Sequence, residues 1–412
     1  MNLDYLIKDG NDNRLFSRLE KLVSCGNRFA GSKADNLAAD FVYKSFLDVN
    51  MEVHEEVFTG QLFEEINSYV EVEGVRYQSK AMFYSESSHG EIEAEAIYLR
   101  NGEDSDYEGK DLNNKIVVVS RGEHKDDFWH DVSKASQNGA IGFILVNYHD
   151  WQTVTTLETG YFDPEKRLMP IEPKNLPSLI LSKNDGERLI NQINQGNKVK
   201  LMADVFNGER EAKNIRAIKK GSKLPEEKIV IYGHRDTVGV PGANDNGSGT
   251  VIMLEVAEMI KDLDLKRSVE FISFSAEEHL GSLGSIAYLE RHKEQLKNIT
   301  ASIELDMVGV GKICVMSGGA WKEKEIRFSE DLTEYILRVS DMLGYKFEKD
   351  FSYMSTPDSG RFADYGVPTT WIWCPDDIHY HSHLDTIEKV EINNLKMISD
   401  VIATTIYNLA NS

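Results

Sequence analysis

The chain has 412 residues, of which 41% are hydrophobic and 28% charged, and a formal net charge of −22. That length suits two domains better than one, and the composition is that of a soluble globular protein rather than a disordered or membrane one. A polyanion of this size is repelled by phosphate backbones and anionic lipid, which disfavours nucleic-acid and membrane partners. No apolar run nears the roughly 18 residues needed to span a bilayer. The opening run Met1-Asn-Leu-Asp-Tyr-Leu-Ile-Lys-Asp9 lacks a basic stretch followed by a long apolar core, so no signal peptide is read. Cys25, Cys314 and Cys374 are odd in number and far apart, which fits a reducing compartment better than a disulfide framework. A cytoplasmic protein is the expectation.

Two helices are predicted over 13–49. Leu15, Leu19 and Leu22 space one face of the first; Ser32 caps the second, whose apolar positions include Leu37, Ala38, Phe41, Val42 and Phe46. Val53–Phe58 reads as a strand. From about 62 the texture changes to short strands and loops, with strands at Tyr69–Val75, Glu91–Leu99 and Lys115–Ser120. A helical stretch at 126–138 leads to an apolar strand within Gly139–Asn147, and a long aromatic loop covers roughly 148–176. No internal repeat or low-complexity segment is present.

From about 229 apolar strands alternate with helices: strand Ile229–Tyr232, helix 251–263, strands Val269–Phe274 and Ala301–Leu305, helix 329–343, strand Thr369–Trp373, and a helix from about 392. Such alternation builds a mostly parallel sheet covered by helices. The predicted architecture is an α/β catalytic domain, 1–61 with 206–412, interrupted by a β-rich insertion over 62–205.

In open α/β sheets, ligands bind beyond the carboxyl ends of the strands. The runs found there are Gly233-His-Arg-Asp-Thr237, Gly242-Ala-Asn-Asp-Asn-Gly-Ser-Gly249, Ser275-Ala-Glu-Glu-His-Leu-Gly281, Asp306 at the end of its strand, and Tyr380-His-Ser-His-Leu-Asp-Thr386. Two imidazoles and three carboxylates (His234, Asp245, Glu278, Asp306 and His381) suit borderline divalent ions, zinc above all, better than magnesium or calcium. Five ligands exceed what one open tetrahedral site uses and match two ions sharing a bridging carboxylate, with a water between them. In the pair Glu277-Glu278 one carboxylate can ligate while its neighbour handles the water's proton. His234-x-Asp236 offers an arrangement in which Asp236 accepts the imidazole's other N–H.

These runs resemble the co-catalytic di-zinc aminopeptidase family, which also holds glutamate carboxypeptidases and glutaminyl cyclases. The matching pieces are His234-Arg-Asp236, Ala243–Gly249, Ala276-Glu-Glu278 with Gly281 and Gly284, Leu305-Asp-Met307, and His381–Thr386, and the likeness covers about 13–58 and 206–412. The resemblance implies two zinc ions per chain, with cobalt or manganese as substitutes. It implies Asp245 as the bridge, His234 and Asp306 on one ion, and Glu278 and His381 on the other. Glu277 is then the general base, Asp236 supports a ligand, and Tyr380 is a candidate donor to the substrate carbonyl. Relatives commonly carry a cis peptide after the bridging aspartate, here Asp245–Asn246. Residues 62–205 resemble an inserted protease-associated domain through Gly109–Arg121 and Gly139–Asn147.

The activity implied is release of N-terminal residues from peptides. A carboxypeptidase or dipeptidase on the same site is the alternative, and a non-catalytic binding protein on the peptidase scaffold is less favoured because all five ligands and Glu277 are kept. Peptide is the expected partner, and the sequence leaves the oligomeric state open. The chain departs from the family pattern at Arg235, where relatives often have an apolar side chain, at His383, which replaces a frequent proline, and at Ser359, where many have histidine. Arg235 and Arg361 read either as binders of a substrate carboxylate or as structural ion-pair partners. His379 and His383 read as loop residues beside the site.

Overall fold

A computed structural model describes residues 11–120, 128–148, 161–162, 170–171, 176–279, 282–321, 324–353 and 357–412. The first two helices are Asp12–Val23 and Lys33–Asp48, opened by Asn11 and Ser32, whose side chains accept the amides of Arg14 and Asp35. Leu15, Leu19 and Leu22 are all buried, in one core with helices Gly249–Ile260 and Ile392–Asn411. That spacing of three and four residues is why this segment is helical.

Among the described residues, the large sheet has eleven strands. Four at its centre are parallel, in the order Thr369–Trp373, Ile299–Leu305, Leu224–His234, Arg267–Phe274. Antiparallel strands flank them: Cys314–Trp321 with Lys324–Arg327 on one side, Val199–Lys219 and Glu52–Val72 on the other. The central strands are apolar on both faces because helices cover both. In Leu224–His234, Ile229 and Ile231 join the core beneath helices Gly249–Ile260, Glu330–Met342 and Ile392–Asn411. Val230 and Tyr232 point the other way, toward Tyr288, Leu289 and Phe362 of helices Leu283–Arg291 and Asp358–Asp364. The mixed α/β class is as the alternation predicts. Among the described residues, no helix is long and apolar enough to cross a membrane.

The insertion is less strand-dominated than its sequence texture suggests. Its five-stranded sheet runs Ser79–Ala81, Ser178–Leu181, Gly142–Val146, Ile116–Ser120, Ala96–Tyr98, and only the first is antiparallel to its neighbour. Ile116 and Val118 pack with Leu189 of helix Lys183–Asn194, while Val117 and Val119 pack with Val132 and Ala135 of helix Phe128–Gln137. It is therefore a small layered α/β unit. The predicted borders at 61/62 and 205/206 fall inside two long strands that pair from Glu52↔Ile218 to Glu71↔Lys200, with a register shift between Glu65 and Asn67. The main chain passes from the large sheet into the insertion as a ribbon, not through linkers.

Strands Cys314–Trp321, Lys324–Arg327 and Glu348–Ser352 and helices Leu283–Arg291 and Asp358–Asp364 were not expected from the sequence. The aromatic loop expected at 148–176 lies almost wholly outside the described residues, as does Gly281.

Candidate metal centre

The carboxyl ends of the four parallel strands lie along one edge of the sheet. His234 closes its strand, and Arg235–Gly242 then turn back toward the core. That turn is closed from outside by Arg28, which is buried. Its Nε donates to Arg235 O (2.7 Å), Nη1 to Pro241 O (2.9 Å) and Nη2 to Gly242 O (2.7 Å). Gly242 has φ 60°, and a Cβ there would lie 2.5 Å from Asp245 O, so only glycine fits. The chain reaches Asp245 in a non-helical conformation, followed by a cis peptide to Asn246.

Ala276, Met307 and His381 have φ of 62°, 53° and 54°. Left-handed backbone is costly for residues with a Cβ. These three positions are the residue before Glu277-Glu278, the residue after Asp306, and a histidine of the set itself. Three of the ten left-handed non-glycine residues among those described thus flank or belong to the set.

All five residues converge. His234 Nε2 lies 3.3 Å from Asp306 Oδ1 and 3.3 Å from Asp245 Oδ1. His381 Nε2 lies 2.9 Å from Asp245 Oδ2 and 3.2 Å from Glu278 Oε2. Two trios of ligand atoms result, His234/Asp245/Asp306 and Asp245/Glu278/His381, each within 4.8 Å. Asp245 turns one oxygen to each. Tetrahedral ligands at zinc-like bond lengths of about 2.0 Å stand about 3.3 Å apart, so these separations fit such an ion at each trio. Glu278 Oε1 is buried with no hydrogen-bond partner, as an unused ligand atom would be.

Electrostatics point the same way. Burial pushes the Glu278 carboxyl up, Asp245 beside it adds to this, and it reaches about 7 despite His381. Burial opposes protonation of His381, yet Glu278 and Asp245 raise its imidazole to about 9. Burial likewise pushes Glu277 well up; His234 opposes, while Asp358 and Glu278 reinforce. With acids crowded together, Glu278 and His381 are shifted toward their protonated forms. A divalent ion's own charge reverses that logic.

Asp236 is placed differently from the sequence expectation. Its carboxylate is 3.7 Å from His234 Nδ1, and the nearer acceptor is Asp236's own carbonyl oxygen at 3.2 Å. Each carboxylate oxygen instead accepts an amide at 3.3 Å, Oδ1 from Glu277 and Oδ2 from Glu278. Asp236 thereby holds the turn that carries both glutamates. Burial works against its charge, but His234 and His279 keep its carboxyl below the usual range.

Tyr380 is 41% exposed, and its ring stacks on His381 with centroids 3.5 Å apart. His379 and His383 belong to neither trio. Arg361 sits in helix Asp358–Asp364. Arg235 is wholly buried: its Nε is 2.9 Å from Asp35 Oδ1, and it donates to Ser273 O, Phe274 O and Lys213 O. Of its two readings, the structural ion pair is the one its surroundings support. Sequence reasoning missed Arg28 and Asp385. Arg28 carries no motif, whereas Asp385 stands inside a run that was singled out for its histidine.

The family model of peptidase family M28 matches residues 214–406, and the PA domain model matches 88–189. Aminopeptidase YwaD of Bacillus subtilis is 27% identical over 318 residues, which cover 72% of this chain and 63% of that protein. Carboxypeptidase Q of Bos taurus is 27% identical over 427 residues, covering 97% and 85%. The fold matches a solved zinc aminopeptidase from Bacillus subtilis with a TM-score of 0.76 at 23% identity, over 98% of this chain and 96% of that one.

Two outcomes are expected. Arg235→Met leaves Asp35 buried and unpaired, so urea unfolding should show a loss of about 3–5 kcal/mol, with KM for peptides unchanged; a KM increase confined to substrates with a free C-terminus would contradict it. Because Glu278 and His381 must shed protons to ligate, divalent-ion affinity should fall as pH drops from 8 to 6. Calorimetric titration at both pH values checks this, and equal affinities would count against these ligands.

Proposed function

The chain belongs to peptidase family M28, with a PA domain ahead of the matched segment, and from that premise we propose that it is a zinc-dependent aminopeptidase with two ions per chain. The observation that carries this is Asp245, whose two carboxylate oxygens face separate ligand trios. His234 and Asp306 would hold one ion, Glu278 and His381 the other, and Asp245 both. When bound, such a pair polarises the scissile carbonyl and lowers the pKa of the attacking water.

The remaining steps fall to the protein's own groups. Glu277 lies beside the trios and ligates neither, so it takes the water's proton and returns it to the leaving amine. Asp236 keeps Glu277 and Glu278 in register through their amides. Tyr380, next to His381, would donate its hydroxyl to the developing oxyanion.

Arginines already committed to partners within the chain favour the amino end of the substrate over its carboxyl end. Beyond the three ligand carboxylates, Glu277, Glu304 and Asp358 add acids around the site, and each has its carboxyl pushed up by burial and by acidic neighbours. Arg28 and Arg235 are buried against backbone carbonyls, and Arg235 also against Asp35, so neither offers a guanidinium to a carboxylate. Relatives named aminopeptidase, among them leucine aminopeptidase 2 of Trichophyton tonsurans, support the same reading. Carboxypeptidase activity is the second reading, favoured by matches to carboxypeptidase Q over nearly the whole chain, and Arg361 is its candidate carboxylate binder. Peptide is the proposed partner. Three unpaired thiols support a cytoplasmic setting.

An unblocked tetrapeptide and its N-acetylated and C-amidated forms separate the readings. Acetylation should abolish cleavage and amidation should be tolerated; the opposite pattern establishes the carboxypeptidase and points to Arg361. Glu277→Gln should keep both ions and lose about three decades of kcat, and unchanged turnover removes Glu277 from the mechanism. Asp245→Ala should leave fewer than two ions per chain by elemental analysis, so a full complement would refute the bridge.

A further inference from the structure

The bridging role asks a great deal of Asp245, whose oxygens must meet two ions held by different strand ends. Around it, three consecutive amides point the same way and meet one residue. Ala243 N–H donates to Asp385 O (3.3 Å), Asn244 N–H to Asp385 Oδ1 (2.7 Å) and Asp245 N–H to Asp385 Oδ2 (3.0 Å). Successive backbone amides of this kind form a concavity that prefers an anion, and here a carboxylate of the chain fills it. Asp385 is fully buried. It also lies four residues after His381, in a turn closed by Asp385 N–H to Ser382 O (3.1 Å) and Ser382 N–H to His379 O (3.1 Å).

We propose that Asp385 is a positioning residue for both metal ions, clamping the Ala243–Asp245 backbone to the turn that carries His381. The inference rests on the two-metal reading above. The clamp sets the distance between a ligand of one trio and the ligand common to both, before any ion arrives. Neighbouring contacts hold the segment from other sides without touching its three amides. Asn244 Nδ2 donates to Asp377 Oδ2 (2.8 Å), Asn244 Oδ1 accepts Gly309 N–H (2.7 Å), and Asn246 Nδ2 donates to Leu305 O (2.8 Å). Asp385 meets the amide of Asp245 itself. An asparagine there keeps the shape but turns an NH2 toward one of the two amides its carboxylate oxygens now serve.

The test is a zinc titration of chelator-stripped wild type and Asp385→Asn, followed by kcat and KM for a peptide at saturating zinc. The variant should bind zinc about 10- to 100-fold more weakly, with its zinc-free thermal midpoint near wild type, kcat reduced and KM within threefold. A zinc affinity within threefold of wild type overturns the clamp while leaving the metal site intact; fewer than two ions on wild type defeats the two-metal reading and the clamp with it. Hydrogen exchange on zinc-free wild type decides the matter even if the variant does not fold. Amides 243–245 should be protected before zinc is added, whereas rapid exchange that only zinc slows would mean the ion orders the segment and would overturn the proposal.

Discussion

Everything around this site answers one constraint: acids are packed together where they repel. Asp245, Glu278 and Asp306 meet over two imidazoles, with Asp236 and Glu277 immediately beside them. Buried like charges drive a folded chain to spread apart or to bind protons. Here the second response is visible in Glu278 and His381, both shifted toward their protonated forms. The first is prevented by the scaffold, since each acid sits on backbone that cannot relax without breaking other bonds. A cation satisfies the constraint without moving anything.

That scaffold is the parallel centre of the sheet. Parallel strands end on the same edge, and their regular spacing brings His234, Ala276 and Met307 to neighbouring positions although they are separated by tens of residues in sequence. Helices pack on both faces of these strands, so the aiming of side chains falls to the loops. The loops are then pinned individually: 235–242 by Arg28, the glutamate turn by Asp236, and the bridging segment by Asp385 and Asp377. The left-handed residues Ala276, Met307 and His381 mark where the aiming is tightest.

The side chains of the two trios are legible in the sequence because metal chemistry admits few side chain types, and these stand in short runs after apolar strands. What could not be read was what holds them. Arg28 acts on carbonyl oxygens some 200 positions away, and a backbone acceptor leaves no trace in sequence. Asp236 reads from sequence as the acceptor of the His234 imidazole's other N–H, but its carboxylate accepts the amides of Glu277 and Glu278, which any residue except proline could supply. The strand Cys314–Trp321 was missed because Gly318 and Gly319 interrupt its pattern, Gly318 with φ 153° where a Cβ would strike Ile326 O. The insertion's borders read from sequence lie where the composition changes, yet strands Glu52–Val72 and Val199–Lys219 continue through them, paired residue by residue and with Leu62, Phe63, Ala203 and Val205 buried.

The continuous ribbon bears on what the PA domain does. Were the insertion a lid on linkers, its contacts with the catalytic unit would be few and peripheral. Instead Lys80 Nζ donates to Gly239 O (2.9 Å), within the loop that Arg28 closes. Val238 and Val240 of that loop share a core with Phe63, Val118 and Val146 of the insertion. Phe63 N–H donates to His279 Nε2 (3.2 Å), and Phe83 packs edge-on against the same imidazole. His279 follows Glu278 directly, and its Nδ1 lies 3.8 Å from the Asp236 carboxylate that supports both glutamates. The insertion therefore reaches the surroundings of two strand ends, through backbone and core contacts that a solvent-exposed lid would lack. Holding the loops that carry His234, Glu277 and Glu278 is part of its structural work, although none of its described residues belongs to either trio.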